Sequence, residues 1–171
     1  MPKQFTQTDN YGRIDIITGC MFSGKSTELI KIINRYKILN KEIIAINHSK
    51  DERYGKNNII THNKLKVECI SVDSLMKIKN NKEYGYDSCH VLVIEEAQFF
   101  EDLYTFVKDA ADKDHKIVIV AGLDGDSNRE TFGDILRLIP LCDTITKLSA
   151  LCVVCQDGTP ANFSKRIVDF K

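Results

Sequence analysis

A parallel α/β fold is what this sequence predicts, and three observations predict it. Short apolar runs rich in Ile and Val alternate with longer stretches of helical period. One of those runs, His90–Glu95, is apolar at four consecutive positions, as a strand covered on both faces is, and Lys116–Ala121 reads the same way. The length of 171 residues, 43% apolar and 28% charged, suits one domain with a conventional core.

Taken in order, Ile14–Thr18 is the first expected strand. Glu28–Leu39 follows as a helix whose Leu29, Ile32, Ile33 and Tyr36 share a face. Glu42–Asn47 and Lys66–Ser71 read as strands, and Val72–Lys79 as a short helix. His90–Glu95 is a strand, Asp102–Lys113 an amphipathic helix and Lys116–Ala121 a strand. Thr131–Leu138 reads as a short helix ended by Pro140, and Thr144–Ser149 as the last strand. Strands alternating with helices imply a parallel sheet wrapped on both sides. From Ala150 the text changes to Cys, Gly158 and Pro160 without helical period, so residues 150–171 are expected to form a small module after a domain over residues 1–149.

Lys plus Arg is 24 and Asp plus Glu is 24, a net charge of zero. That argues against a protein whose work is to blanket nucleic-acid phosphates. Residues 1–10 lack the apolar stretch of a signal peptide, and runs such as Ile117–Ala121 are too short to span a membrane. The six cysteines therefore read as thiols or metal ligands in a reducing cytoplasm. Cys20, Cys69, Cys89 and Cys142 are isolated and expected to act as small core hydrophobes. Cys152 and Cys155 form the one spaced pair.

The chemistry starts at Gly19-Cys20-Met21-Phe22-Ser23-Gly24-Lys25-Ser26, which matches the phosphate-loop pattern G-x-x-x-x-G-K-[ST] between a strand and a helix. Its glycines let backbone N–H groups turn inward around phosphate oxygens, and the helix N-terminus adds partial positive charge. Lys25 is expected to bridge the β- and γ-phosphates of ATP, and Ser26 to ligate magnesium. The fold is thus expected to be a nucleotide-binding α/β domain of the RecA-like kind.

Val91-Leu92-Val93-Ile94-Glu95-Glu96 is an apolar strand ending in two carboxylates. The first, Glu95, is placed to hold magnesium; the second, Glu96, to take a proton from whatever attacks the γ-phosphate. Attack by water would make an ATPase, attack by a substrate hydroxyl a kinase. Ala97-Gln98-Phe99-Phe100 favours the kinase: Gln98 can hydrogen-bond a polar ligand and Phe99 offers a face to a planar base, although an aromatic pair is as often core packing. A helicase-like or strand-exchange-like ATPase shares the loop and the acidic strand end, and neutral charge speaks against it. A non-catalytic zinc ribbon is the third reading, and the intact Lys25, Ser26 and Glu96 speak against that.

These residues resemble the zinc-containing (type II) thymidine kinases. The resemblance covers nearly the whole chain: residues 19–29 with Met-Phe inside the phosphate loop, Asp51-Glu52-Arg53-Tyr54 followed by Thr61-His62, and Glu95-Glu96-Ala97-Gln98-Phe99-Phe100. It continues through Leu123-Asp124-Gly125 with Arg129 and Phe132-Gly133, then Lys147-Leu148-Ser149-Ala150-Leu151-Cys152-x-x-Cys155 and Phe163-Ser164-Lys165-Arg166. It implies transfer of the ATP γ-phosphate to the 5′-hydroxyl of thymidine, with Glu96, Lys25 and Arg53 catalytic. ATP would be held by residues 19–26 with Asp51, Arg53, Glu95 and Gln98, and magnesium by Ser26 and Glu95. The nucleoside would meet Met21, Asp51, Glu96, Gln98, Phe99, Leu123, Ser127, Phe132 and Ser149. Cys152 and Cys155 would supply half of a structural zinc site at the start of a lasso module, and the enzyme would be a homotetramer without direct nucleic-acid or membrane contact.

The sequence departs from that pattern in places. Glu95 stands for the usual Asp, Ser127 for a Phe against the nucleoside, and Ser149 for Thr. The resemblance also implies a second pair of zinc ligands after Lys171, so either the chain is trimmed or this version has lost the module, and a trimmed chain is the expectation taken.

Overall fold

The computed structural model describes residues 11–51, 58–60 and 66–167. Its first half runs β1 (Arg13–Gly19), α1 (Lys25–Ile38), β2 (Ile43–His48), β3 (Asn58–Ile60), β4 (Lys66–Glu68), β5 (Ile70–Val72) and α2 (Met76–Asn80). The second half runs β6 (Val91–Ile94), α3 (Leu103–Asp112), β7 (Ile117–Gly122), β8 (Thr144–Leu148), β9 (Ala150–Leu151) and β10 (Pro160–Ala161). Short 3₁₀ segments occupy Lys82–Tyr84, Ala97–Phe99 and Ile135–Leu141.

Six strands form one sheet in the order β5-β2-β6-β7-β1-β8, and every pairing in it is parallel. This is the expected α/β phosphate-loop architecture. The phosphate-loop strand β1 and the acid-bearing strand β6 are not neighbours; β7 lies between them.

The apolar runs work as their composition demands. All four residues of β6 are fully buried. Leu92 and Ile94 join Ile14, Ile16 and Phe106 on one face, while Val91 and Val93 join Leu29, Ile30 and Ile33 of α1 on the other. On α3 the buried positions are Leu103, Phe106, Val107, Ala110 and Ala111, the i, i+3, i+4, i+7, i+8 stripe of a helix lying on a sheet. Among the described residues no helix is long and apolar enough to cross a membrane.

Three elements differ from expectation. The run Lys66–Ser71 is not one strand: β4 pairs antiparallel with β3 in a separate hairpin, and β5 joins the main sheet beside β2. Val67 and Cys69 pack into the cluster under α1, whereas Ile70 and Val72 pack into the other core cluster, so the buried face switches where the partner changes. The helix expected over Val72–Lys79 shrinks to α2, because Val72 completes β5 opposite His48. The Asp102 carboxylate then fixes the start of α2 by accepting from Met76 N at 3.0 Å and Ser74 Oγ at 2.7 Å. The short helix over Thr131–Leu138 is instead the 3₁₀ segment Ile135–Leu141, with Pro140 inside it. Ile135 and Leu138, three apart, are its buried residues, which is the spacing of a three-residue turn.

Leu92 is completely buried at the centre of the sheet. Leu92→Ala should lower unfolding free energy by about 2–5 kcal/mol in urea titration, since the rigid neighbours on both sides cannot collapse into the gap.

Candidate active site

The parallel sheet sends the C-terminal ends of β1, β2, β6 and β7 to one edge, and the loops there build the site. β1 leaves through Gly19, whose φ of 144° places an imagined Cβ 2.2 Å from Leu148 O. The loop closes at Gly24, φ 89°, directly before α1. Phe22 is also left-handed, at φ 62°. Lys25 Nζ donates to the carbonyl oxygen of Cys20 at 2.7 Å, folded back over its own loop. The Ser23 hydroxyl is buried without a hydrogen-bond partner. A buried, unsatisfied hydroxyl in a glycine-rich turn at a helix N-terminus is suited to an incoming anion.

The two acids at the end of β6 diverge. Glu95 is buried, its N–H donates to Ile46 O at 2.8 Å, and its carboxylate accepts a hydrogen bond from the Ser26 hydroxyl. Glu96 is half-buried and adopts φ 51°, ψ 40°. A left-handed non-glycine residue costs on the order of 1–3 kcal/mol and persists where its surroundings impose it. The reversal turns the chain into the Ala97–Phe99 turn, where Gln98 Nε2 donates to Glu96 Oε2. Gln98 Oε1 in turn accepts from Leu123 N at 2.9 Å.

A third acid approaches from β2. Asn47, buried at the end of that strand, donates through Nδ2 to Asp51 Oδ2 at 3.1 Å and accepts the His48 N–H at 2.8 Å. Burial pushes the Cys69 thiol up to about 12, and the nearby charges of Glu95 and Asp51 add to the rise, so this thiol stays protonated and inert. Burial also lowers the basicity of His48, with Lys50 next in effect. The His48 ring lies 4.6 Å from Phe100 and 5.7 Å from Phe99 between centroids.

Opposite the acids, Phe99 meets Phe132 edge-on at 5.4 Å. Asp124 pairs with Lys147 at 2.8 Å, and the Arg129 guanidinium lies 5.5 Å from the centre of the Phe163 ring. Ser164 Oγ accepts the Met21 N–H at 2.9 Å, and the Cys20 thiol donates to Ala161 O at 3.1 Å. An open cleft of about 200 Å³ lies between the phosphate loop, the Asp124–Thr131 loop and residues 162–164.

A family model described as "Thymidine kinase" matches residues 12–170. This chain belongs to the thymidine kinase family. It is 43% identical over 158 residues to thymidine kinase a of Arabidopsis thaliana, covering 91% of this chain and 65% of that one. It is 41% identical to a thymidine kinase of Oryza sativa subsp. japonica, covering 91% of this chain and 57% of the relative. A thymidine kinase of Yaba monkey tumor virus is 45% identical, covering 92% and 83% of the two chains. The chain thus spans less than two thirds of the length of those two plant relatives. A solved structure of Bacteroides Pif1 bound to ssDNA aligns with 80% of this chain and 38% of its own at 13% identity and a TM-score of 0.37, too slight to bear on function.

Against this family background, the structure brings Lys25, Ser26 and Glu95 to one place and Glu96, Gln98 and Leu123 to another. Phe99 and Phe100, adjacent in sequence, part company: Phe100 is core, at 1% exposure, and Phe99 is half-buried against Phe132. Met21 is exposed beside Ser164, Ser127 is half-buried, and Ser149 is exposed between β8 and β9. Arg53 and the Thr61-His62 pair lie outside the described residues. Cys20 is buried as an isolated cysteine should be, yet it hydrogen-bonds from within the phosphate loop. Sequence reasoning missed Asn47, whose amide type gave no signal among ordinary strand residues, and Gly122, whose closeness to Gln98 only the fold reveals.

The donor sets match the metals that the thymidine kinase resemblance implies to different degrees. Ser26 Oγ and Glu95 Oε1 are hard oxygens that lie together, the donor type that magnesium takes. Cys152 and Cys155 are two soft ligands in the turn between β9 and β10, with Cys155 N donating to Cys152 Sγ at 3.4 Å. Those hydrogen bonds hold the Cys152 thiol below its ordinary range, and the neighbouring Cys152 raises Cys155. Two thiolates are half of a tetrahedral zinc set. Among the described residues no cluster of three or more His, Cys, Asp or Glu could hold a metal.

Gly133, at φ 63°, packs so closely that a Cβ would sit 2.2 Å from the Gln98 carbonyl oxygen. Gly133→Ala should therefore destabilise the protein by about 1–3 kcal/mol, read in thermal or urea unfolding, from left-handed strain and the clash together.

Proposed function

We propose that this chain carries the phosphoryl-transfer centre of a thymidine kinase, moving the γ-phosphate of ATP to the 5′-hydroxyl of thymidine. The observation that carries the reading is the divergence of the adjacent acids, with Glu95 turned to Ser26 of the phosphate loop and Glu96 turned to Gln98 and the Leu123 loop. A centre that transfers phosphate to a hydroxyl needs one carboxylate on the phosphate side and another on the acceptor side.

In this reading the N–H groups of residues 19–26 and the Ser23 hydroxyl receive the phosphates of ATP. Lys25 exchanges the Cys20 carbonyl for phosphate oxygens, where its charge stabilises the transferring group. Ser26 and Glu95 would hold magnesium, which supplies charge neutralisation on the phosphates when bound. Glu96 orients the 5′-hydroxyl and accepts its proton, and in a loose transition state positioning outweighs basicity. Phe99, Phe132, Leu123 and Met21 enclose the base, with Ser127 and Ser149 at its margin; Asp51 and Arg53 serve the phosphate and ribose side. The family resemblance supports the remaining assignments. These are a zinc ion held partly by Cys152 and Cys155 in a module beginning near Ala150, a homotetramer, and a cytoplasmic enzyme using free nucleoside.

ADP release, measured with thymidine, other nucleosides and single-stranded DNA, tests the activity. Thymidine should be the strongest stimulant, Lys25→Ala should abolish turnover, and Glu96→Gln should lower kcat by ~10²–10⁴ with ATP binding little changed. ADP release stimulated only by DNA would replace the kinase with an ATPase. For the metal, full-length protein should contain about one equivalent of zinc by elemental analysis, and the C152A/C155A double variant should contain almost none.

A further inference from the structure

We propose that Gln98 is a positioning residue for Glu96, tying the proton acceptor to the wall of the nucleoside pocket through one buried amide. The inference rests on the phosphoryl-transfer reading above and gives Gln98 a role other than ligand contact. Gln98 is 4% exposed, and both ends of its amide are engaged inside the protein. Nε2 donates to Glu96 Oε2, and Oε1 accepts from Leu123 N at 2.9 Å. The orientation is dictated by its partners: a main-chain N–H can only donate, so the amide oxygen faces it, leaving the nitrogen for the carboxylate.

The surrounding backbone confines this amide. A Cβ at Gly122 would lie 2.4 Å from Gln98 Oε1, and one at Gly133 would lie 2.2 Å from the Gln98 carbonyl oxygen. Glu96 itself sits on a left-handed turn with three side-chain torsions to fix. A charge-assisted hydrogen bond from an immobile donor restricts those torsions more firmly than a neutral one would. Because the other end of the same amide holds Leu123, a shift of the pocket wall is transmitted to the proton acceptor. Misplacement of a reacting group by about 1 Å can cost ~10²-fold in rate, so such a strut acts on kcat.

A double-mutant cycle on the full-length enzyme tests this, using wild type, Gln98→Met, Glu96→Ala and the double variant. Gln98→Met keeps length and burial and deletes both hydrogen bonds. It should lower kcat by about 10–100-fold while KM for thymidine and for ATP stays within about threefold. In the Glu96→Ala background it should cost no further kcat, since its partner is already gone. Gln98→Glu keeps the acceptor for Leu123 but sets a second carboxylate beside Glu96; it should lose kcat at least as severely. A Gln98→Met effect confined to KM for thymidine, or one that adds fully to Glu96→Ala, overturns the proposal. If the wild-type enzyme phosphorylates no nucleoside, the kinase reading falls, and the strut is judged from melting temperatures of the same four proteins. Strictly additive shifts would then overturn it; a coupled shift would uphold the bond.

Discussion

The hydrogen bond between Ser26 and Glu95 joins the first turn of α1 to the end of β6, segments that follow two strands that are not neighbours. β7 lies between β1 and β6, so the bond spans a strand at the sheet edge where parallel strands all end. That geometry follows from parallelism: a crossover must return the chain after each strand, and every loop at the carboxyl edge opens on the same side. Phosphate loop, acids and pocket wall therefore meet without any long excursion of the chain. The apolar continuity of β6 and β7 secures this arrangement, because strands buried on both faces have no tolerance for a shift in register.

Close packing around the Ala97–Phe99 turn is the second constraint. The left-handed backbone at Glu96 is held from one side by Gly122 and from the other by Gly133, both too near Gln98 for any side chain. Small residues here act as spacers that set how far the turn stands from β7. The local strain is thus borne by the end of a rigid strand rather than by a mobile loop, and neighbouring carboxylates can face different partners.

Much of this was legible in the sequence, for identifiable reasons. The phosphate loop and the acids at the end of β6 are local patterns, in which the residues and their spacing are themselves the geometry. The alternation of strand and helix gave the parallel sheet. What the sequence left hidden depends on partners distant in the chain. Lys66–Ser71 reads as one apolar run yet switches from a hairpin to the main sheet at Cys69, and its buried side chains change core cluster there. Gln98 declares an amide but not its burial, and Asn47 declares nothing until Asp51 is seen beside it. Pro140 signals an end, yet the 3₁₀ segment Ile135–Leu141 accommodates it.

Residues 161–164 also bear on how the molecule is made. The Cys20 thiol meets Ala161 across a sequence separation of 141, and the Met21 N–H meets Ser164 across 143. Closing loops of that length carries a large entropic penalty that is recovered only once the intervening sheet has formed. On a ribosome, the first strand and its glycine-rich turn emerge more than a hundred residues before these contacts can form. A partly made chain can therefore possess a finished α1 and still lack the backing of its phosphate loop, which delays a competent nucleotide cradle until residues 161–164 have been made and docked.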